Sequence, residues 1–317
     1  MEKLVLIDGH SILNRAFYGV PGLTNSEGLH TNAVYGFLNI LFKLLEEEKP
    51  GYLAVAFDLK APTFRHTMYD AYKGTRKPMP EELHEQVPLM KEVLTAMGIP
   101  IFTREGYEAD DILGTVAKKA QAAGMEVTVV SGDRDLLQLS DAHIKISIPK
   151  TSRGTTEVHT YYPEDVKREY QVTPEQFIDV KALMGDTSDN IPGVPSIGEK
   201  TATNLILQFG SVNGVYEHLS EVKPPRAKKS LEEHRDLAEL SYKLAKICID
   251  APVEFSPEDA RIGDLYTKEA YEYMSRLEFK SLLARFGDHV KKEAAAALDF
   301  HAVTDLAVAE ALFQKAM

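Results

Sequence analysis

Leu4-Val5-Leu6-Ile7-Asp8 is a run of four apolar residues closed at once by an acid. A run so short and so continuous predicts a strand buried on both faces, as in a parallel sheet. The pattern returns twice. Leu53-Ala-Val-Ala-Phe57 ends in Asp58, and Val127-Thr-Val-Val130 is followed by Ser131-Gly132-Asp133-Arg134-Asp135. Ile99-Pro-Ile-Phe102 is a weaker fourth case. Between these runs, apolar residues recur three and four apart over Ala33 to Leu45 and over Ala109 to Ala123, the spacing of helices. Strands alternating with helices predict an α/β fold: a central, mostly parallel twisted sheet with helices on both faces.

In such a sheet, ligands sit beyond the carboxyl ends of the strands. Asp8, Asp58, Asp133 and Asp135 are therefore expected at one edge. Glu108-Ala-Asp110-Asp111 opens the helix after the weaker strand and adds three acids. Asp186-Thr-Ser-Asp189 adds two more, on one face if the segment makes a helical turn. Any one of these is commonly a turn former or a helix N-cap. Their joint occurrence at strand ends is what carries information. Packed carboxylates repel one another, and Mg²⁺, which prefers carboxylates and retained waters, relieves that repulsion. No Cys/His cluster has zinc spacing. Two such ions about 4 Å apart suit phosphodiester hydrolysis by water, with no protein nucleophile.

Composition bounds the alternatives. The 317 residues are 44% hydrophobic and 26% charged, as in ordinary globular proteins. Cys248 is the single cysteine, which fits a reducing compartment. No signal peptide is expected, and no segment approaches the roughly 20 apolar residues that cross a bilayer. A cytoplasmic, nucleoid-associated monomer is the expectation. The net charge of −12 counts against nucleic acid, but binding follows the local field. Lys60, Arg65, Lys73, Arg76 and Lys77 cluster just after Asp58, interleaved with Tyr69 and Tyr72. That mixture suits a nucleic-acid strand. Lys223, Arg226, Lys228 and Lys229 form a second basic group.

After Tyr162 the strand signals fade. Pro163 and Pro174 stand at expected helix starts. Gly198 is expected to open another helix, with Lys200 and Thr201 in its first turn, where backbone N–H groups bind phosphate. The expected organisation is an α/β core over 1–174, with a basic arch at about 60–95. A helical region follows over 175–290, then a linker and the start of a following domain over 291–317.

These motifs together resemble the flap endonuclease family, in the form of the 5′-nuclease domain of bacterial DNA polymerase I. The residues that carry the resemblance are Leu6-Ile-Asp8-Gly-His10, Ala56-Phe-Asp58, Tyr72-Lys73-Gly-Thr-Arg76, Tyr107-Glu108-Ala-Asp110-Asp111, Ser131-Gly-Asp133-Arg-Asp135 and Gly185-Asp186-Thr-Ser-Asp189-Asn-Ile-Pro-Gly193. The match is collinear over about residues 1 to 290. It implies a PIN-like nuclease core, a helix-hairpin-helix region, and a Mg²⁺-dependent 5′→3′ exonuclease and flap endonuclease of replication and repair, with Mn²⁺ able to substitute. One ion is implied at Asp8, Asp58, Glu108 and Asp110, and a second near Asp133, Asp135 and Asp189, with Asp111 and Asp186 as supporting acids. Lys73 and Arg76 match the pair that contacts the scissile phosphate. Tyr72 matches an aromatic beside the unpaired nucleotide, and Arg65 and Lys77 join it as expected DNA contacts. Gly193, Ile197, Gly198, Lys200 and Thr201 match the hairpin, which grips duplex backbone and binds K⁺. The implied partners are DNA with 5′ flaps or ends, nicked or gapped duplex, and an RNA primer on DNA. A polymerase module in cis or in trans is also implied.

The sequence departs from the family twice. Ser196 stands where the hairpin usually has glycine, and the chain stops where polymerase I continues, as expected of a fragment or truncated product, with a stand-alone nuclease as the alternative. Two other enzyme classes use acidic sheets. PIN-type ribonucleases are shorter, with fewer acids and no helix-hairpin-helix, and Toprim-like domains lack the Asp8 and Asp58 pair. A non-catalytic DNA clamp would have no use for so many clustered acids.

Overall fold

A computed structural model of the chain describes residues 2–152, 155–288 and 290. Six strands, β1 (Lys3–Asp8), β2 (Tyr52–Ala56), β3 (Ile101–Phe102), β4 (Glu126–Val130), β5 (Ile144–Ser152) and β6 (Thr155–Tyr161), form one sheet. Their order is β3-β2-β1-β4-β5-β6. All neighbours are parallel except β5 and β6. The expected mostly parallel α/β sheet is thus present, and β1 and β2 are buried almost throughout.

Two strands differ from expectation. The weak run at 99–102 shrinks to two residues, because Pro100 has no N–H and offers only its carbonyl, to Val55 at 3.1 Å. The β5–β6 hairpin is an addition at the edge. Its signal was an alternation, with Ile144, Ile146 and Ile148 buried along β5.

Register places the acids. Asp8 pairs with Ala56, and Ile7 pairs with Val130, so the ends of β1, β2 and β4 are level. From β1 the chain moves to β2 and β3 on one side, then returns to β4 on the other. The topological switch point therefore lies between β1 and β4, where a crevice opens in such sheets.

The helices of this part are α1 (Gly9–Gly19), α2 (Asn32–Glu48), α3 (Phe64–Met68), α4 (Glu81–His84), α5 (Gln86–Ala96) and α6 (Ala109–Ala122). Helix α2 buries Val34, Phe37, Leu38 and Leu41, a stripe spaced by three and four, and ends at Lys49 with φ 48°. There follow α7 (Pro163–Tyr170), α8 (Pro174–Met184), α9 (Glu199–Phe209), α10 (Val212–Glu217), α11 (Pro225–Glu233) and α12 (Arg235–Ala245). Both prolines that were expected at helix starts hold the first helical position. At α8 a reciprocal cap fixes the start: Gln176 N–H donates to Thr173 Oγ1 at 3.3 Å, and Thr173 N–H to Gln176 Oε1 at 3.1 Å.

The helices after α6 do not form a separate core. Leu6 and Val129 of the sheet belong to one apolar cluster with Leu183, Leu205 and Leu231. Residues up to Gly263 make one compact unit. A second unit begins at Asp264. Its described part holds α13 (Lys268–Arg276) and α14 (Lys280–Leu283), with Phe286 edge-on to Tyr266 and Tyr271 at 5.3 and 5.4 Å. The expected linker and following-domain start at 291–317 lie outside the described residues. Among the described residues no helix is long and apolar enough to cross a membrane.

Candidate active site

A cleft of roughly 1320 Å³ opens over the carboxyl edge of β1, β2 and β4. Asp8, Asp58, Glu108, Asp110, Asp133, Asp135 and Asp186 line it, as do Lys73 and Arg76. Acids up to 178 residues apart in the chain thus share one cavity.

Each acid is held by local structure. Asp8 ends β1 and caps α1: its Oδ1 accepts from Ser11 N–H at 3.0 Å and its Oδ2 from Ser131 Oγ at 2.8 Å. Asp58 Oδ1 accepts the Ala109 N–H at the start of α6 at 2.8 Å, and His10 Nδ1 lies 3.3 Å from its carboxylate. Asp133 caps the short 3₁₀ turn Arg134–Leu139 through Asp135 N–H at 2.9 Å. Asp110 sits in the first turn of α6.

The electrostatics divide these acids into two groups. Lys73 Nζ meets Glu108 at 2.7 Å, and Lys181 bridges Asp135 and Asp186. Arg76 pairs with Asp189, and Arg65 with Asp111. The protein's own cations thus neutralise five of the acids, so bound metal is not the only relief of their repulsion. Asp8, Asp58, Asp110 and Asp133 have no lysine or arginine at ion-pair distance among the described residues. Burial, then the Asp58 charge, pushes Asp8 up to about 6. Burial, then Asp8 and Asp133, pushes Asp110 well up. Burial and Asp133 push Asp135 up to about 7 even beside Lys181. For Asp58, burial is outweighed by His10, the Ala109 N–H and Lys73, and its pKa falls.

This donor set fits a hard divalent cation. It is all carboxylate oxygen, and no lysine or arginine pairs with these four acids among the described residues, although His10 and the Ala109 N–H stabilise the Asp58 charge. Among the described residues no three such side chains close into a finished cage. Mg²⁺, which keeps several waters, does not require one.

Several expected site residues lie elsewhere. Asp111 is fully buried and turned away from the cleft, bonded to Arg65 and to the N–H groups of Glu108 (3.0 Å) and Cys248 (2.8 Å). As the N3 acid of α6 it closes the helix start. Arg65 is equally buried. Tyr72 is buried too, its single hydroxyl proton shared between Glu108 at 3.1 Å and Asp189 at 3.2 Å. Asp186 and Asp189 do not share a helix face. Residues 186–191 form a turn closed by Asp186 N–H to Ile191 O at 2.9 Å and Ile191 N–H to Asp186 O at 2.8 Å. Asp186 faces Lys181, whereas Asp189 faces Tyr72, Lys73 and Arg76 outside the cleft lining. Lys77 is exposed beyond the cleft.

The turn depends on two glycines. Gly185 and Gly193 have φ 75° and 61°, and a Cβ on Gly193 would stand 2.3 Å from the Gly185 nitrogen. Beyond it, Ile197 is buried, Gly198 caps α9 as expected, and Lys200 is exposed in the first turn. Ser196 adopts φ 67°, the glycine-favouring conformation that the family pattern implied.

Sequence reasoning missed Arg15, Arg134 and Lys181. Asp8, Ser11 and Arg15 are three and four apart, which puts them on one face of a helix, so Arg15 was findable. Arg15 Nη2 donates to Gly132 O at 3.4 Å, and burial together with Arg134 lowers its pKa. Lys181 hides in the apolar run Phe177–Leu183, and only the fold shows what its ammonium meets.

Residues 3–171 match the family described as 5′-3′ exonuclease, N-terminal resolvase-like domain, and residues 172–268 match its C-terminal SAM fold. DNA polymerase I of Bacillus caldotenax is 49% identical over 284 residues, which cover 90% of this chain and 32% of that protein. DNA polymerase I of Bacillus subtilis (strain 168) is 48% identical over 287 residues, 90% of this chain and 32% of that protein. The chain spans about one third of the length of these curated relatives. Among solved structures, T5 5′-exonuclease with divalent zinc superposes with a TM-score of 0.65 at 23% identity, over 92% of this chain and 100% of that one. The catalytic core of Rad2 with DNA substrate gives 0.58 at 15% identity, over 90% and 91%. These two likenesses concern the fold. The sequence matches go further: the chain belongs to the 5′-3′ exonuclease family, as the counterpart of about one third of a bacterial DNA polymerase I.

Proposed function

We propose that the chain is a Mg²⁺-dependent 5′ nuclease that hydrolyses DNA phosphodiester bonds at 5′ ends and 5′ flaps. One observation carries the reading: Asp8, Asp58, Asp110 and Asp133 stand without protein cations on the floor of a cleft whose wall is basic. Bare carboxylates repel phosphate, so this floor suits DNA only when divalent cations cover it. These four acids would hold the ions, with Glu108, Asp135, Asp186 and Asp189 becoming available when Lys73, Lys181 and Arg76 turn to the substrate. Bound divalent cations supply Lewis-acid polarisation of the phosphate and activation of the attacking water.

The remaining work falls to the chain. Lys73 and Arg76 would orient the scissile phosphate and offset charge on its oxygens. Arg15 and Arg134 line the same cleft and would hold a neighbouring phosphate. The Gly193–Thr201 hairpin would grip duplex backbone through the N-terminal N–H groups of α9, with K⁺ at the same loop. The T5 enzyme carries divalent zinc and the Rad2 core a DNA substrate, and both features agree with this reading. A polymerase module, in cis or in trans, belongs to the same reading, since the curated relatives are DNA polymerases I. RNA primers on DNA, and nicked or gapped duplexes, belong to the proposed substrate range.

The test is a 5′-flapped duplex incubated with Mg²⁺ or with EDTA, beside single-stranded RNA. Short 5′ products should appear from the flap with Mg²⁺ alone, and RNA should persist. Cleavage in EDTA would refute the metal mechanism.

A further inference from the structure

The second basic group of the sequence is untouched by the cleft. Lys223 and Arg226 stand exposed just before and within the first turn of α11, a turn without acids. Lys228 and Lys229 are spent within the helix on Glu232 and Glu233, at 4.0 and 3.6 Å. Lys223, Arg226 and the hairpin's Lys200 have no carboxylate partner among the described residues. Such unpaired cations are notable in a chain of net charge −12.

Helix α11 is also fastened to the hairpin. Arg226 Nη2 donates to Ser196 Oγ at 3.0 Å, and Ser230 Oγ donates to the Pro195 carbonyl. The Ser196 hydroxyl that receives Arg226 is the one a glycine would lack. Its backbone sits at φ 67°, where a residue with a Cβ rarely rests. The side chain at this position thus links the hairpin to a cationic helix turn. Glu199 is the one acid in the first turn of α9.

We infer that α11 is a second phosphate-binding element, coupled to the hairpin through Arg226 and Ser196, which extends the grip along the duplex backbone. The inference rests on reading the hairpin as a duplex-binding element. The occupant is a polyanion of regular spacing, and duplex DNA beside the cleft supplies it. Its signature is electrostatic: each phosphate contact adds about 0.9 to the slope of log affinity against log salt.

The full chain is tested without divalent ions, by fluorescence anisotropy on a labelled duplex over a salt series. Lys200→Ala reports on the hairpin. Arg226→Ala and Lys223→Ala report on α11, and Lys223 has no side-chain hydrogen bond or ion pair among the described residues. Each α11 variant should bind more weakly and lose about 0.9 of slope. The wild-type advantage should therefore shrink about threefold between about 50 and about 200 mM salt. Wild-type slopes in both α11 variants, with a reduced slope in Lys200→Ala, would confine the grip to the hairpin and overturn the inference. So would weaker binding by Arg226→Ala at an unchanged slope, which would make Arg226 a brace only. A normal slope in Lys200→Ala would instead remove the hairpin reading, and an absence of flap cleavage by the wild type would remove the nuclease reading.

Discussion

Arg65 and Asp111 face each other in a two-bond ion pair, Nη1–Oδ2 at 2.7 Å and Nη2–Oδ1 at 2.8 Å, with both side chains sealed from solvent. Arg65 also donates to the carbonyls of Leu244 and Lys246, each at 2.9 Å. The pair therefore joins α3, the start of α6 and the end of α12. Removing one partner leaves a buried charge uncompensated. Asp111→Ala is expected to lose about 3–5 kcal/mol in urea unfolding. The double change Arg65→Met, Asp111→Leu should recover only part of that loss, because it removes the lone charge but strands the Leu244 and Lys246 carbonyls and the Glu108 and Cys248 N–H groups. A stability loss under about 1 kcal/mol, accompanied by weakened divalent binding, would return Asp111 to the ligand set.

Lys73 and Arg76 are tied to Glu108 and Asp189 in this structure but line the cleft. If they act on the phosphate, Lys73→Ala and Arg76→Ala should each lower the single-turnover cleavage rate at saturating DNA by about 10²-fold or more. A defect that disappears at saturating DNA would make them general binders.

The uncompensated acids make a prediction about stability alone. Asp110 is raised by burial and by the Asp8 and Asp133 charges, so repulsion is built into the metal-free fold. Mn²⁺ should raise the thermal midpoint of the wild type, since a ligand of the folded state stabilises it. Asp110→Asn should raise the metal-free midpoint and abolish most of the Mn²⁺ increment. A variant with a wild-type increment would remove Asp110 from the metal site.

Gly193 lies so close to Gly185 that no side chain fits between them. Gly193→Ala should cost about 2 kcal/mol or more, through positive φ and steric overlap. It should also slow cleavage, because Asp186 hangs on the same turn. Wild-type unfolding and rate together would show that the turn yields without harm.

Asp141 tests the pH dependence away from the cleft. Burial pushes its pKa up, but Lys118 and the N–H groups of His143 (2.8 Å) and Ile144 (2.9 Å) outweigh it, and the pKa ends below the ordinary value. A depressed carboxyl contributes stability above its unfolded pKa and loses it as pH falls through the folded one. Asp141→Asn should therefore be less stable than wild type at pH 7. The two midpoints should converge as pH falls below the ordinary carboxyl range. A gap that stays constant would place the effect in packing rather than charge.

How much of this was legible in the chain follows from periodicity and distance. The order of residues by itself determined the strands that end in Asp8 and Asp58 and the one that leads into Asp133, because short apolar runs and level acids repeat locally and obey the rules of parallel sheets. It also set the helix starts at Pro163 and Pro174, each a matter of a few neighbouring bonds. Only the tertiary structure decided which acids meet cations. Asp110 and Asp111 are adjacent, yet α6 turns one into the cleft and the other into the core against Arg65, 46 residues away. Lys181 looked like any polar residue of a mixed helix until Asp135 and Asp186 closed on it. Charge pairing is set by distances through space, and those exist only once the sheet and its helices have packed.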